Sequence, residues 1–354
     1  MFDHKKSIHI RTGIILLLFL FFLSGCTAQK KEDHSEVPTE QTEEAVSVIE
    51  EESEAEMIPF AYQFQPHVIS DEYIRAYGEE IEPLFYAFCD AVLNGESTFP
   101  CPSTEMFHQV LGIARVCLPV ASYCIEEDDV YVKDGVGHIA YRMDQKELKQ
   151  TVESFKARVT EVIKSAVPYQ EEDFIVALEL LQAVAKKDIV DEEELAEEGL
   201  LRGLSIMPYR AITENIGICQ EIAGEYIYYL LQAGINATTC SALSRDKENA
   251  HMWVLMELDG EYYHVDPMVT IDYPDSPAFF GLTDVMREQY GDFPVEDFCI
   301  AESDALRRED YKAESERFLR LWRAESYRIN RRERKLELTL FDLYAPETED
   351  EFAY

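Results

Sequence analysis

The stretch that decides the fold runs NIGICQEIAGEYIYYLLQAGI over residues 215–235 and resumes as AHMWVLMELDGEYYHVDP over 250–267. In the first part Ile218, Ile222, Tyr226 and Leu230 fall on one helical stripe, Ala223, Ile227 and Leu231 reinforce it, and Gly234 is placed to end it. Cys219 therefore lies in the first turn of a mostly apolar helix. Residues 235–243 read as a strand, 250–258 as a second and 261–266 as a third, with Asp259-Gly260 as a two-residue turn.

That hairpin fixes a register. If Leu258 and Glu261 close the turn, Trp253 lies opposite Asp266 and His251 opposite Met268. His251, Trp253 and Asp266 then share one face, and His251 and Asp266 are diagonal neighbours about 7–8 Å apart at the backbone, within reach of a hydrogen bond. A three-residue loop with a bulge would put them on opposite faces. A cysteine at a helix N-terminus beside a histidine and an aspartate is what thiol catalysis requires. The helix dipole and an imidazolium favour thiolate over thiol, the histidine then supplies a proton to a leaving amine, and the carboxylate orients the ring.

Asn215-Ile216-Gly217-Ile218-Cys219-Gln220 with Ala223 and Tyr226, the run from Leu230 to Ile235, Ala250-His251-Met252-Trp253 and the run from Leu258 to Pro267 resemble the transglutaminase-like superfamily, a branch of the papain-like thiol enzymes. Phe279-Phe280-Gly281-Leu282-Thr283-Asp284 looks like the strand and helix start that close that domain. The resemblance implies an α+β fold in which a Cys-bearing helix packs on a small antiparallel sheet, preceded by a mostly helical region. It implies Cys219 as nucleophile, His251 as base and acid, and Asp266 as orienter. The activity implied is amide chemistry through a thioester, without a cofactor, on a protein or peptide substrate. Met268 departs from the pattern, standing where a small hydroxyl residue is common, and 214–216 is less glycine-rich than usual. Because the superfamily also holds inactive scaffolds, the alternative is a non-catalytic surface module that binds polypeptide or wall material. A solute-binding lipoprotein is disfavoured, since nothing indicates two symmetric α/β lobes.

Other residues near this constellation carry more than one reading. Gln220 is a candidate to line an oxyanion hole or an ordinary helix-surface glutamine. Trp253 covers the thiol or belongs to the core, and the core is the simpler placement. His264 shares the face of His251 and Asp266, as a supporting partner or as a packed or exposed histidine. Cys240, on a strand, reads as a packed thiol.

The first 26 residues carry a separate signal. Lys5, Lys6 and Arg11 precede the apolar run IILLLFLFFL, which is short for a spanning helix, and Leu23-Ser24-Gly25-Cys26 reads as a lipobox. This is similar to the bacterial lipoprotein signal. It implies a lipid on Cys26 and a body at the outer face of the bacterial cytoplasmic membrane. Between Thr27 and Met57 there are 11 acidic residues against Lys30 and Lys31, with no Phe, Tyr or Trp, which predicts a solvated, disordered tether. The formal net charge of −38 excludes nucleic acid as a partner. Hydrophobic content of 47% marks the rest as globular. Cys89, Cys101, Cys117, Cys124, Cys219, Cys240 and Cys299 remain beyond Cys26, an odd set that leaves at least one thiol outside any intramolecular pairing. No Cys or His spacing points to a metal.

The expected organisation is a signal peptide over 1–25, an acidic tether over 26–58, a mostly helical region over 59–165, the core over 166–300, and a helical extension with an acidic tail over 301–354. Ser70 caps a helical stretch reaching Gly95 that Pro83 must kink or split. Residues 130–143 suggest a hairpin around Asp134-Gly135. Amphipathic helices follow through Leu148–Ile163 and from about Glu171, and Leu336, Leu338 and Leu340 alternate as a strand. The anchor assignment makes a direct prediction: Cys26→Ser abolishes metabolic lipid labelling of the chain, and labelling that persists would remove Cys26 as the acceptor.

Overall fold

The computed structural model describes residues 57–191, 208–341 and 349–354. The signal sequence, Cys26 and nearly all of the tether lie outside them. The helical stretch expected from Ser70 is divided rather than kinked. Helix α1 (Asp71–Tyr77) stops at Gly78, and α2 (Ile81–Asn94) starts afresh with Pro83 in its first turn, where a missing N–H breaks no helical bond. Ser70 holds the N-cap position, but its hydroxyl donates to Glu72 Oε2 (2.7 Å) and accepts no backbone N–H.

Strand β1 (Thr98–Pro100) leads to α3 (Thr104–Cys117), whose cap is Ser103 Oγ accepting from the Met106 N–H, and then to α4 (Pro119–Cys124). The predicted hairpin is present as β2 (Tyr131–Lys133) and β3 (Val136–His138), and β1 extends it into a sheet of order β1-β3-β2. In α5 (Gln145–Ala166) the Asp144 carboxylate accepts from the Lys146 and Glu147 N–H groups, and Leu148, Val152, Phe155, Val159 and Ile163 are all buried. Helix α6 (Asp173–Lys187) begins two residues past Glu171.

Next come β4 (Ile189–Val190), α7 (Tyr209–Glu214), β5 (Ile216–Gly217) and α8 (Cys219–Gln232). Every residue of α8 except Gln220 is buried, so the helix is an axle of the core and not a surface helix. It packs on β6 (Ala237–Leu243) and β7 (Ala250–Leu258) of an antiparallel sheet completed by β8 (Glu261–Val265). The hairpin register is the predicted one, with Leu258 opposite Glu261 and Val254 opposite Val265. The ladder ends there, because Pro267 opens the short helix α9 (Pro267–Ile271); His251 and Met268 are therefore not a cross-strand pair. From 279 to 284 only Leu282 pairs, by a single bridge to His264, before α10 (Asp284–Gln289). Strand β9 (Cys299–Ile300) closes the sheet in the order β8-β7-β6-β9.

The helical extension expected after residue 300 is not there. Residues 301–323 contain only short 3-10 turns, and a separate antiparallel sheet follows, formed by β10 (Ala324–Asn330), β11 (Lys335–Leu340) and β12 (Glu349–Ala353). The charge spacing that looked helical is used locally and across the fold: Arg307 pairs with Asp310 inside a 3-10 turn, and Arg317 reaches Asp259. Phe318, next to Arg317, packs on Phe174, Tyr263 and Phe280. Tertiary anchoring of one aromatic outweighs weak local helix pairing here. Leu336, Leu338 and Leu340 do alternate as a buried strand face, though in the middle of the sheet and not as a last strand.

One continuous apolar core extends from Tyr62 to Phe352, so the amino-terminal helices and the sheet bury a shared surface. Among the described residues no helix is long and apolar enough to cross a membrane. Gly281 is where this core constrains the backbone most: its φ is +70°, and a Cβ there would lie 2.6 Å from the Phe318 side chain. Gly281→Ala should cost about 2 kcal/mol, read as a lower urea midpoint with an unchanged slope. An unshifted midpoint would show that Phe318 can yield.

Candidate active site

The nucleophile candidate is placed by the chain just before α8. Strand β5 pairs in parallel with β4, and the Ile189 and Asp191 N–H groups donate to the Asn215 and Gly217 carbonyls (both 2.9 Å). Glu221, in the first turn of α8, reaches back to accept the Ile218 N–H (3.0 Å), which is one half of a capping box. Arg210 holds that carboxylate from the other side, with Nε to Oε1 at 2.8 Å and Nη2 to Oε2 at 2.5 Å, and also bonds Asp191. Gly217 is required by the closeness of this packing, since a Cβ would lie 2.9 Å from Glu221 Cβ. The result is a rigid entry that sets Cys219 at the first helical position, where backbone N–H groups have no intrahelical acceptor.

The sheet brings the other two groups. His251 is the second residue of β7, and Asp266 follows β8 as the N-cap of α9, with Oδ1 accepting the Val269 N–H (3.3 Å). His251 Nε2 meets Asp266 Oδ2 at 2.8 Å, and His251 also lies close enough to the Cys219 thiol for each to shift the other's ionisation. Asp266 occupies Nε2, so Nδ1 is the nitrogen left to face the sulfur. The three predicted residues therefore converge, with Cys219 9% exposed, the His251 side chain 14% exposed and Asp266 fully buried.

The electrostatics follow from these contacts. Burial would push the Cys219 thiol up, but the hydrogen bond and charge of His251 and the Met252 backbone N–H outweigh it and bring the thiol below its ordinary value. Burial likewise works against a charged His251, yet Asp266 and Cys219 together push it up to about 9. Asp266 is held below the usual carboxylate range: burial alone would raise it, and His251 and Arg287 reverse that. All six other described thiols, at Cys89, Cys101, Cys117, Cys124, Cys240 and Cys299, are pushed up by burial. The arrangement thus favours the charged form of both Cys219 and His251, with a carboxylate behind them.

Trp253 is fully buried, with its indole N–H donating to His264 Nδ1 (2.9 Å), so that N–H is spent and cannot serve an oxyanion. Its ring instead stacks beside His251, with centroids 6.0 Å apart, and Phe293 lies on the imidazole as well. His264 is packed and partnered, with Nε2 on Asp284 Oδ1 (2.9 Å). Gln220, the next residue along α8, is half-buried, and its Oε1 has no hydrogen-bond partner among the described residues. Cys240 is buried on β6, opposite Trp253. Met268 is half-buried and packs against the core.

Sequence reasoning missed Arg287. It is fully buried, its Nη2 lies 3.3 Å from Asp266 Oδ2, and its guanidinium carbon lies 3.9 Å from the centre of the Trp253 ring. An arginine in a six-residue helix rich in charge reads as a surface residue, and no spacing distinguishes it.

No family model matches the chain, and no curated protein matches it in sequence. Among solved structures, it is similar to one described as a TGase, with 11% identity and a TM-score of 0.29 over 39% of this chain and 43% of that one. It is also similar to a candidate cysteine protease from Cytophaga hutchinsonii, with 11% identity and a TM-score of 0.25 over 31% of this chain and 37% of that one. The chain spans less than half the length of each. At this level of likeness, the geometry of the site alone bears on its chemistry.

The raised His251 value carries a stability signature. Relative to an unfolded value of about 6.5, the protonated His251–Asp266 contact contributes stability that is fully present below that pH and is lost as pH rises through about 9. Histidine-selective NMR should find His251 titrating well above its ordinary value, and Asp266→Asn should bring it down. A His251 that titrates at its ordinary value in the wild type would contradict the pairing.

Proposed function

We propose that the chain is a lipid-anchored, extracytoplasmic thiol enzyme of the transglutaminase-like type, acting on a glutamine carboxamide or a peptide amide. The observation that carries this reading is the buried Asp266 bonded to His251 at 2.8 Å, with the Cys219 thiol near enough to His251 to be lowered by it. The lipobox at Cys26 and the acidic tether support the location at the outer face of the cytoplasmic membrane.

In the proposed reaction the Cys219 thiolate attacks the amide carbonyl. The resulting oxyanion is met by the unpaired N–H groups at the start of α8, where the helix dipole also favours negative charge. The Gln220 side chain, one residue on, is placed to assist. His251 passes its proton to the departing amine as the C–N bond breaks, leaving a thioester on Cys219. Water or a second amine then attacks the thioester, giving its proton to His251, and the thiolate leaves. The imidazolium and thiolate are restored, and every proton is accounted for. Asp266 holds the ring with Nδ1 toward the sulfur throughout.

The test is the reactivity of Cys219 toward a thiol electrophile across pH, with modified sites mapped by mass spectrometry. Cys219 should alkylate well below the unperturbed thiol pKa of about 8.5 and outpace Cys240 and Cys299. His251→Ala should raise its apparent pKa. Asp266→Asn should keep the fold and slow the reaction by releasing the ring. Cys219→Ala should abolish both hydrolysis and amine incorporation on glutamine peptides. A Cys219 that reacts no faster than Cys299 in folded, reduced protein would leave only a binding module.

A further inference from the structure

Asp266 receives two cations, and only one of them belongs to the triad. His251 meets Oδ2 at 2.8 Å, and the Arg287 guanidinium meets the same oxygen at 3.3 Å from the opposite side. Arg287 is fully buried, and its Nε and Nη2 make no hydrogen bond among the described residues. Its charge is balanced by the ion pair to Asp266, by the faces of Trp253 (3.9 Å) and Phe293 (5.0 Å), and by Nη1 donating to the Tyr290 carbonyl (2.5 Å). A methionine would fill the same space against Trp253 without a buried charge, so packing alone does not account for an arginine there.

We infer that Arg287 is a positioning residue that sets the pH window in which the Cys219–His251 pair is charged. It acts by competing with His251 for the Asp266 carboxylate and by placing a fixed positive charge behind the site. The inference rests on the reading of Cys219 as the nucleophile. Arg287 keeps Asp266 ionised, so the orienting carboxylate is available at every pH where the thiol is active. It also draws on the negative charge that would otherwise serve His251 alone, which makes the imidazolium a better proton donor to a leaving amine. The same charge favours the thiolate.

The other groups around Arg287 do not mimic it. Tyr290 and Cys240 are held neutral by burial, and Cys219 is the thiol the charge acts on. His264 feels the repulsion of both Arg287 and Arg308 and takes up the Trp253 N–H, while the charge of Asp284 is met locally by Arg308 and its oxygen accepts from His264 Nε2. Asp266 is the carboxylate that Arg287 contacts.

The experiment is the pH–rate profile of Cys219 carboxymethylation by iodoacetate in the full chain; its acid limb reports thiolate formation, and its alkaline limb reports loss of the His251 proton, because the anionic reagent is drawn in by the imidazolium. Arg287→Met and Arg287→Gln remove the charge while filling the volume over Trp253. Both limbs should move upward by about one pH unit, because thiolate loses an attractive charge and imidazolium loses a repulsive one. Arg287→Lys, which keeps the charge, should hold both limbs near their wild-type positions. Neutral variants that lower the rate without moving either limb would overturn the inference and leave Arg287 a packing residue. If neither neutral variant folds, the lysine variant decides: limbs that rise in it by a unit or more overturn the proposal, and unmoved limbs uphold it. A wild-type Cys219 with no bell-shaped profile would fail the thiol-enzyme reading itself and take this inference with it, whereas a normal wild-type bell with unmoved limbs in the neutral variants fails only the role of Arg287.

Discussion

Asp266 is a carboxylate with no exposure to solvent, and the order of the site depends on its staying ionised there. Moving such a group out of water is costly, and it is tolerated only where its charge is met by cations and N–H donors. The structure supplies three: the His251 imidazole, the Arg287 guanidinium and the Val269 N–H at the start of α9. Each comes from a different element, so the carboxylate ties β7, α9 and α10 to the end of β8. Break the hairpin register by one residue and Asp266 turns to the other face, leaving two buried cations and a carboxylate unpaired.

The second fixed point is the start of α8, and it is made differently. Nothing about Cys219 itself holds the chain in place; the Glu221 carboxylate does, clamped between the Ile218 N–H and Arg210. The burial of α8 on all sides then transmits that position to the sheet. Because β7 packs on α8 and also carries His251, the sulfur and imidazole meet through two rigid elements rather than a loop.

Much of this was legible in residues 215–267, and for identifiable reasons. Helical spacing placed Cys219 in a first turn, and Asp259-Gly260 allowed one register that brought His251 and Asp266 to one face. The structure keeps that register from Leu258 through Val254. What the sequence hid were features decided by tertiary contact. Arg287 looks like any helix-surface arginine until Trp253 lies beneath it. Residues 301–323 have charge spacing that suits a helix, but Phe318 is committed to a pocket formed by Phe174, Tyr263 and Phe280, and the backbone follows that anchor. Ser70 has the chemistry of a cap, yet the buried Glu72 competes for its hydroxyl and wins.

The second histidine shows why residue type alone does not assign a role. His264–Asp284 is built from the same pair of side chains as His251–Asp266, at nearly the same distance, and it too has an arginine on the carboxylate, the half-buried Arg308. The two rings are nonetheless pushed in opposite directions, His251 up and His264 down. His264 receives the indole N–H of Trp253 on Nδ1, and an imidazolium has no lone pair to accept it, so His264 is neutral and donates through Nε2 to Asp284. Burial and the two arginines work in the same direction. His251 has the Asp266 carboxylate on Nε2 and the Cys219 sulfur near it, and both work to raise it, to about 9. The difference between the two dyads thus comes down to what lies near the ring besides its carboxylate: an indole N–H in one case and the Cys219 sulfur in the other.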